Sequence, residues 1–193
     1  MPIKVVAAPK NALKLLQAGI EKNLAAGMVD AVLGQIARVG SPHRVFHLGL
    51  DALVAEKPIA RAAKHVGWSA TLVDRRKQAV AAAELALTRD GVKFACVNRG
   101  PHATGAGAGE AVAARWSKEA KGDHELALLR IPGAYCTALW IRGADGKDAF
   151  IPIAPCPDGL RPNIPYGEKD LRAALLPEAR KQLELPSQPP TKR

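Results

Sequence analysis

The sequence is short of the residues on which much protein chemistry is built. Its three cysteines, Cys96, Cys136 and Cys156, lie far apart, and no CxxC pair occurs. That excludes a Cys-based zinc site and a thioredoxin-like motif, both of which need closely spaced thiols. An odd, scattered set of thiols offers no disulfide framework, which fits a reducing, cytoplasmic compartment. Aromatic residues make up 4% of the chain against 48% hydrophobic residues. The core must therefore be built mostly from Ala, Val, Leu and Ile. No apolar run approaches the roughly 20 residues needed to cross a bilayer, so no membrane span is expected. The opening stretch MPIKVVAAPKNALKLL is interrupted by Lys4, Lys10 and Lys14 and does not read as a signal peptide.

Catalytic and cofactor signatures are missing too. There is no GxSxG around a serine, and His43 is followed by Arg44 rather than the Glu of HExxH. His43 and His47 share one face of a helix or a strand, but no third ligand is evident, so no metal is expected. The stretch NRGPHATGAGAGEAVAARW carries Gly105, Gly107 and Gly109. Glu110 and Ala111 follow, where a Walker loop needs Lys and a hydroxyl. The dinucleotide fingerprint fails as well, because its third glycine would fall on Glu110 or Val112. No cofactor is expected. The stretch reads as a flexible approach to a helix over 107–120, with Gly107 as N-cap and Glu110 in the first turn, complementing the helix dipole. Arg99 and His102 stand nearby as candidates to face an anion. The three thiols have apolar neighbours and read as inert. Asp145 and Asp148 flank a turn and read as solvated.

Basic charge is present in excess, with 28 Lys and Arg against 18 Asp and Glu. It is uneven: residues 1–100 hold 15 basic and 7 acidic side chains, residues 101–193 hold 13 and 11. A basic first half points to an anionic partner, nucleic acid or an acidic protein. The segment PIARAAKHVGWSATLVDRRKQAV, Pro58 to Val80, resembles a helix-turn-helix in outline. Ala63 and Gly67 have the spacing of that motif, and Ala62, Val66, Trp68 and Val73 fit its buried positions. Arg61, Lys64, Arg75, Arg76 and Lys77 would then contact phosphate. Arg76 stands where that motif wants an apolar residue. The competing reading, which we favour, makes GWSATLVD a strand, as Trp68, Thr71 and Val73 prefer, and RRKQ a charged turn.

Leu13, Leu16, Ile20, Leu24, Met28, Val32 and Ile36 recur at helical spacing, after Asn11 as N-cap and with a break near Gly27. From residue 44 the pattern alternates: a strand at 44–48, a helical turn at 51–56, a short helix after Pro58, then further strands. Asp90-Gly91 marks a hairpin and residues 143–146 a turn. A last helix spans about 168–185 with a break at Pro177. The expected fold class is α+β: N-terminal helices, then a mainly antiparallel sheet of five or six strands with an inserted helix and a C-terminal helix. The segments are an N-terminal helical stretch (1–40), an α+β domain (41–185) and a polar tail (186–193).

The functional expectation is a non-catalytic cytoplasmic binding or interaction protein whose basic first half engages an anionic partner. Its candidate residues are Arg61, Lys64, Arg75, Arg76, Lys77, Arg99 and His102. The N-terminal helices are a candidate surface for a homo-oligomer. One alternative is a DNA-binding regulator using 58–80. Another is a small enzyme with its site near the glycine-rich loop 98–110.

Overall fold

The computed structural model describes residues 8–25, 36–120, 123–144 and 146–184. Helix α1 (Ala12–Ala25) is followed by strands β1 (Ile36–Val39) and β2 (His43–His47), and by short helices α2 (Leu50–Val54) and α3 (Ile59–Ala62). Strands β3 (Lys64–Asp74), β4 (Ala79–Thr88) and β5 (Gly91–Asn98) come next, then helix α4 (Pro101–Glu119). The chain ends with β6 (His124–Ile131), β7 (Cys136–Gly143), β8 (Ala149–Pro152) and helix α5 (Glu168–Glu184).

The strands form one sheet in the order β5-β4-β3-β2-β6-β7-β8, with β1 continuing the line of β2 along β3. Every pairing is antiparallel except β2 with β6. The sheet is thus two antiparallel meanders, β2 to β5 and β6 to β8, joined side by side at one parallel seam. A parallel seam requires a crossover over the face of the sheet. Helix α4 is that crossover, running from the edge strand β5 back to the central β6.

Alternation along the strands sends successive side chains to opposite faces. Val45, Leu126, Leu128, Leu139 and Ile151 pack with Ala113 of α4. Phe46, Ala127, Leu129 and Trp140 point the other way and pack with Leu171 and Leu175 of α5. Trp68, Ala70, Leu72, Ala81 and Ala83 share that second face and are covered by Ala12, Leu16 and Ile20 of α1. On it, between these clusters, Arg44 of β2 clamps Glu125 of β6. Arg142 of β7 adds a bond of 3.2 Å to the same carboxylate while lying 4.6 Å from the Trp140 ring centroid. The shared carboxylate ties the seam strands β2 and β6 to β7.

The α+β class and the mainly antiparallel sheet are as the sequence pattern implied, but among the described residues the sheet has eight strands rather than five or six. The additional strand β1 falls at 36–39, inside the stretch read as helical up to residue 40. The expected break near Gly27 and the tail 186–193 lie outside the described residues. Residues 64–74 are one strand, so the 58–80 segment has no second helix and the helix-turn-helix outline is not formed. Pairing with β2 on one side and β4 on the other outweighs the resemblance. Gly67 serves the sheet instead: a Cβ there would lie 1.9 Å from the Leu85 carbonyl oxygen.

Three smaller readings change. Helix α5 continues through Pro177 without a break. Proline removes one backbone bond there, but Leu171, Leu175 and Ala179 on either side are buried in the core. Asp148 is not simply solvated: it accepts the Trp140 indole N–H at 2.9 Å and the Gly143 N–H at 3.1 Å. Asp145 lies outside the described residues. The glycine run is not a flexible approach, because α4 begins at Pro101, with Gly100 as N-cap, and all three glycines lie within it. A Cβ at Gly105 would sit 2.9 Å from Ile153 Cγ2 and 3.3 Å from the Ala154 carbonyl, and one at Gly109 would sit 2.9 Å from Leu139 Cδ1. One helical turn apart, these two positions let the helix backbone lie against the sheet and the chain after β8.

Gly107 meets only Ala79 Cβ at 3.4 Å, an ordinary contact. Alanine is the better helix former by about 1 kcal/mol. Gly107→Ala should therefore raise the urea midpoint by the equivalent of about 0.5–1 kcal/mol, whereas Gly67→Ala should lower it by about 1–3 kcal/mol through overpacking. Equal effects of the two substitutions would contradict this packing.

Candidate functional site

The face of the sheet under α4 is not completely filled. A cavity of about 590 Å³ lies between the sheet and the first half of the helix. Its floor is made by alternate residues of four strands: Ser69 and Thr71 of β3, Ala82 and Glu84 of β4, Leu128 and Arg130 of β6, and Thr137 and Leu139 of β7, with His43 of β2. The register places His43 opposite Ser69, and Ser69 opposite Glu84, in one row across three strands. Its roof is His102, Ala103, Ala106 and Glu110, and the four-residue spacing from 102 to 106 to 110 is one face of α4. Ile153, Pro155 and Cys156 of the chain after β8, with Tyr135 before β7, close one side. Small side chains on both roof and floor (Ala82, Ala103, Ala106) leave the volume unfilled.

Two polar groupings face this space. In the first, the Arg130 guanidinium donates to both oxygens of Glu84, one bond being 3.0 Å, and the Asn98 amide donates to Glu84 Oε1 at 2.7 Å. Burial works to raise the Glu84 carboxyl, but Arg130 and Asn98 outweigh it and hold the group below the usual carboxylate range. In the second, the Thr71 hydroxyl donates to Glu110 Oε1 at 3.0 Å, and His43 Nε2 lies 3.8 Å from the same oxygen. Burial lowers the His43 pKa, opposed by the nearby Glu110 and Glu125 carboxylates. His43 Nδ1 and His102 Nδ1 are buried without a hydrogen-bond partner.

The thiols on the wall are poor nucleophiles. Burial, with the neighbouring Cys156, pushes Cys136 up to about 12. Burial also raises Cys156, whose thiol faces the Ile153 carbonyl at 3.5 Å. Among the described residues, no three His, Cys, Asp or Glu side chains are grouped so as to hold a metal ion. Nor is any helix there long and apolar enough to cross a membrane.

The residues singled out in the sequence are dispersed. Arg61 ends α3 and Lys64 opens β3, while Arg75, Arg76 and Lys77 form the turn after β3. An 11-residue strand separates the two groups. At about 3.3 Å per residue that is roughly 30 Å, so they form no single patch. The turn itself is exposed, and Asp74 Oδ1 accepts the Arg76 and Gln78 backbone N–H groups at 2.9 and 2.8 Å. Arg99, between β5 and α4, shares a shallow surface depression with Lys77. His102 alone of the seven lines the main cavity. Glu110 was considered with Arg99 and His102 around the glycine-rich loop, and His43 with His47 as a metal pair, but Glu84, Arg130 and Thr71 were not read as part of a site. Their signal was present as single polar residues inside apolar strands, Glu84 in AVAAAELAL and Arg130 in ELALLRI, but only the register shows that they meet.

Compared with known protein families, with curated proteins and with solved structures, the chain finds no match.

His43, His47 and His65 are all lowered from 6.5, in each case first by burial. The unfolded chain therefore takes up protons near pH 6.5 that the folded chain resists until lower pH. Stability is complete above that range and is lost as pH falls through the folded values. Glu84 adds a loss of the same sign, but only below its ordinary value of 4.5. The urea midpoint should fall between about pH 7.5 and about pH 5.5; a flat or rising profile across that window would contradict the burial of these imidazoles.

Proposed function

We propose that this chain binds a small, largely apolar molecule in the cavity between α4 and the sheet. One observation carries the reading: the space of about 590 Å³ is walled by Leu128, Leu139, Ile153 and alanines, with a few polar side chains converging on it. That combination of size, apolar wall and few fixed polar groups is characteristic of ligand sites. The cavity borders the 98–110 region, considered from the sequence for a small enzyme, and its lining comes from the sheet as much as from the helix. The reading assigns binding and no reaction.

A second reading, engagement of an anionic partner such as nucleic acid or an acidic protein, is favoured by the exposed Arg75, Arg76 and Lys77 turn and the depression shared by Lys77 and Arg99. It concerns a different surface and stands or falls separately.

For the cavity, Ala106→Phe places a ring in the space while keeping a helix-compatible residue. A neutral solvatochromic dye should brighten and shift to the blue with the native chain. It should lose at least about tenfold in affinity with the variant, at unchanged far-UV circular dichroism. Equal dye binding by both would overturn the cavity reading. For the turn, DNA and RNA fragments should bind with an affinity that falls steeply with salt, and Arg75→Ala with Arg76→Ala should flatten that slope by about two. Absence of nucleic-acid binding at low salt, together with no binding of an acidic polypeptide, would remove the second reading.

A further inference from the structure

Resting on the cavity as a ligand site, we infer that its ligand is an amine: an apolar body carrying one primary or secondary ammonium group, which Glu110 receives. Two carboxylates line the cavity, Glu84 and Glu110, and they differ in their partners. Glu84 has most of its acceptor capacity used, since Arg130 grips both its oxygens and Asn98 supplies a third donor. The two charges thereby neutralise each other, and the pair offers a ligand no net charge.

Glu110 is different. Among the described residues its carboxylate accepts from the neutral Thr71 hydroxyl, to Oε1 at 3.0 Å, and its side chain is 34% exposed. The nearest basic group is His43, at 3.8 Å from that same oxygen, which is beyond hydrogen-bond length. His43 sits within the sheet with only 14% of its side chain exposed, where burial favours the uncharged imidazole. The charged groups that act on it are Glu110 of α4, which faces it, and Glu125 of β6, on the opposite face of the sheet. The ion pairs of Arg44, Lys93, Arg130, Arg142 and Arg172 go to other carboxylates. Oε2 therefore remains to accept from a ligand, at the edge of a wall made of Ala106, Leu139 and other apolar groups.

A carboxylate held by one hydroxyl beside an apolar wall selects for a cation whose remaining surface is apolar. A ligand carboxylate would meet Glu110 with like charge. An alcohol would make a hydrogen bond without charge pairing. Charge-assisted bonds in such surroundings are stronger than neutral ones by enough to rank the three. Thr71 acts as a positioning residue, holding Oε1 of a carboxylate that lines the cavity.

The test uses three probes with one apolar body, a phenylalkylamine, the matching phenylalkanol and the matching phenylalkanoic acid, competing against the neutral dye at neutral pH. The amine should displace the dye at a concentration about tenfold or more below the alcohol, with the acid weakest. Glu110→Gln, which keeps shape and can still accept from Thr71, should bring amine and alcohol to equal strength while dye binding persists. Dye binding with amine and alcohol already equal on the native chain, or with the acid strongest, would overturn the amine assignment and leave the cavity reading intact. Failure of the dye and all three probes to bind would overturn both. The probe ranking needs no variant, so it stands even if Glu110→Gln folds poorly.

Discussion

Helix α4 comes closest to the sheet and to the chain after β8 at residues 105 and 109, which have no Cβ. Ile153, the Ala154 backbone and Leu139 occupy the space that side chains would need. The remaining architecture follows from that approach. The helix connects an edge strand to a central one, so its contact with the sheet holds β6 beside β2 and joins two meanders at a parallel seam. Where the same helix turns Ala103 and Ala106 to the sheet, the floor below offers Ala82, Ser69 and Thr71, and the facing surfaces are too small to meet. Close contact through glycine and open space over small side chains are thus two outcomes of one helix packing.

The polar groups in that space divide by how completely they are satisfied. Glu84, Arg130 and Asn98 form a closed set that links β4, β5 and β6 across the floor. Such a pair, with most of its hydrogen-bonding capacity used, specifies register more than it contributes stability. Glu110 is incompletely partnered, and the imidazole nearest to it is biased toward the neutral form by burial. On the opposite face, Arg44, Glu125 and Arg142 form a second closed set against Phe46 and Trp140. Incomplete satisfaction thus marks the end of the cavity where α4 crosses β2 and β3.

Much of the fold was legible from alternation and turn chemistry. Trp68, Thr71 and Val73 prefer strand, and residues 68–74 are strand; Asp90-Gly91 marks a hairpin, and β4 and β5 form one, with Gly91 at φ 108°. What was not legible depended on contacts distant in sequence. Gly105, Gly107 and Gly109 lower intrinsic helix propensity, so the local reading started the helix only at Gly107; packing against Ile153 and Leu139 accompanies a start at Pro101. The basic residues of 58–80 looked like one patch in linear order, yet an extended strand holds Lys64 and Arg75 at its two ends. The cavity was the least legible feature. Glu84 and Arg130 each look like an isolated charge in an apolar strand until register and salt-bridge geometry bring them together.

The central claim is that the unfilled space beneath α4 takes a ligand. It is tested most directly by titrating methyl-labelled protein with a neutral apolar probe and following the methyl resonances by NMR. The account predicts saturable shifts concentrated on Ala103, Ala106, Leu128, Leu139 and Ile153, with the exposed Leu13 and Leu87 unmoved. Shifts confined to exposed leucines, or none at probe concentrations where the dye binds, would contradict it.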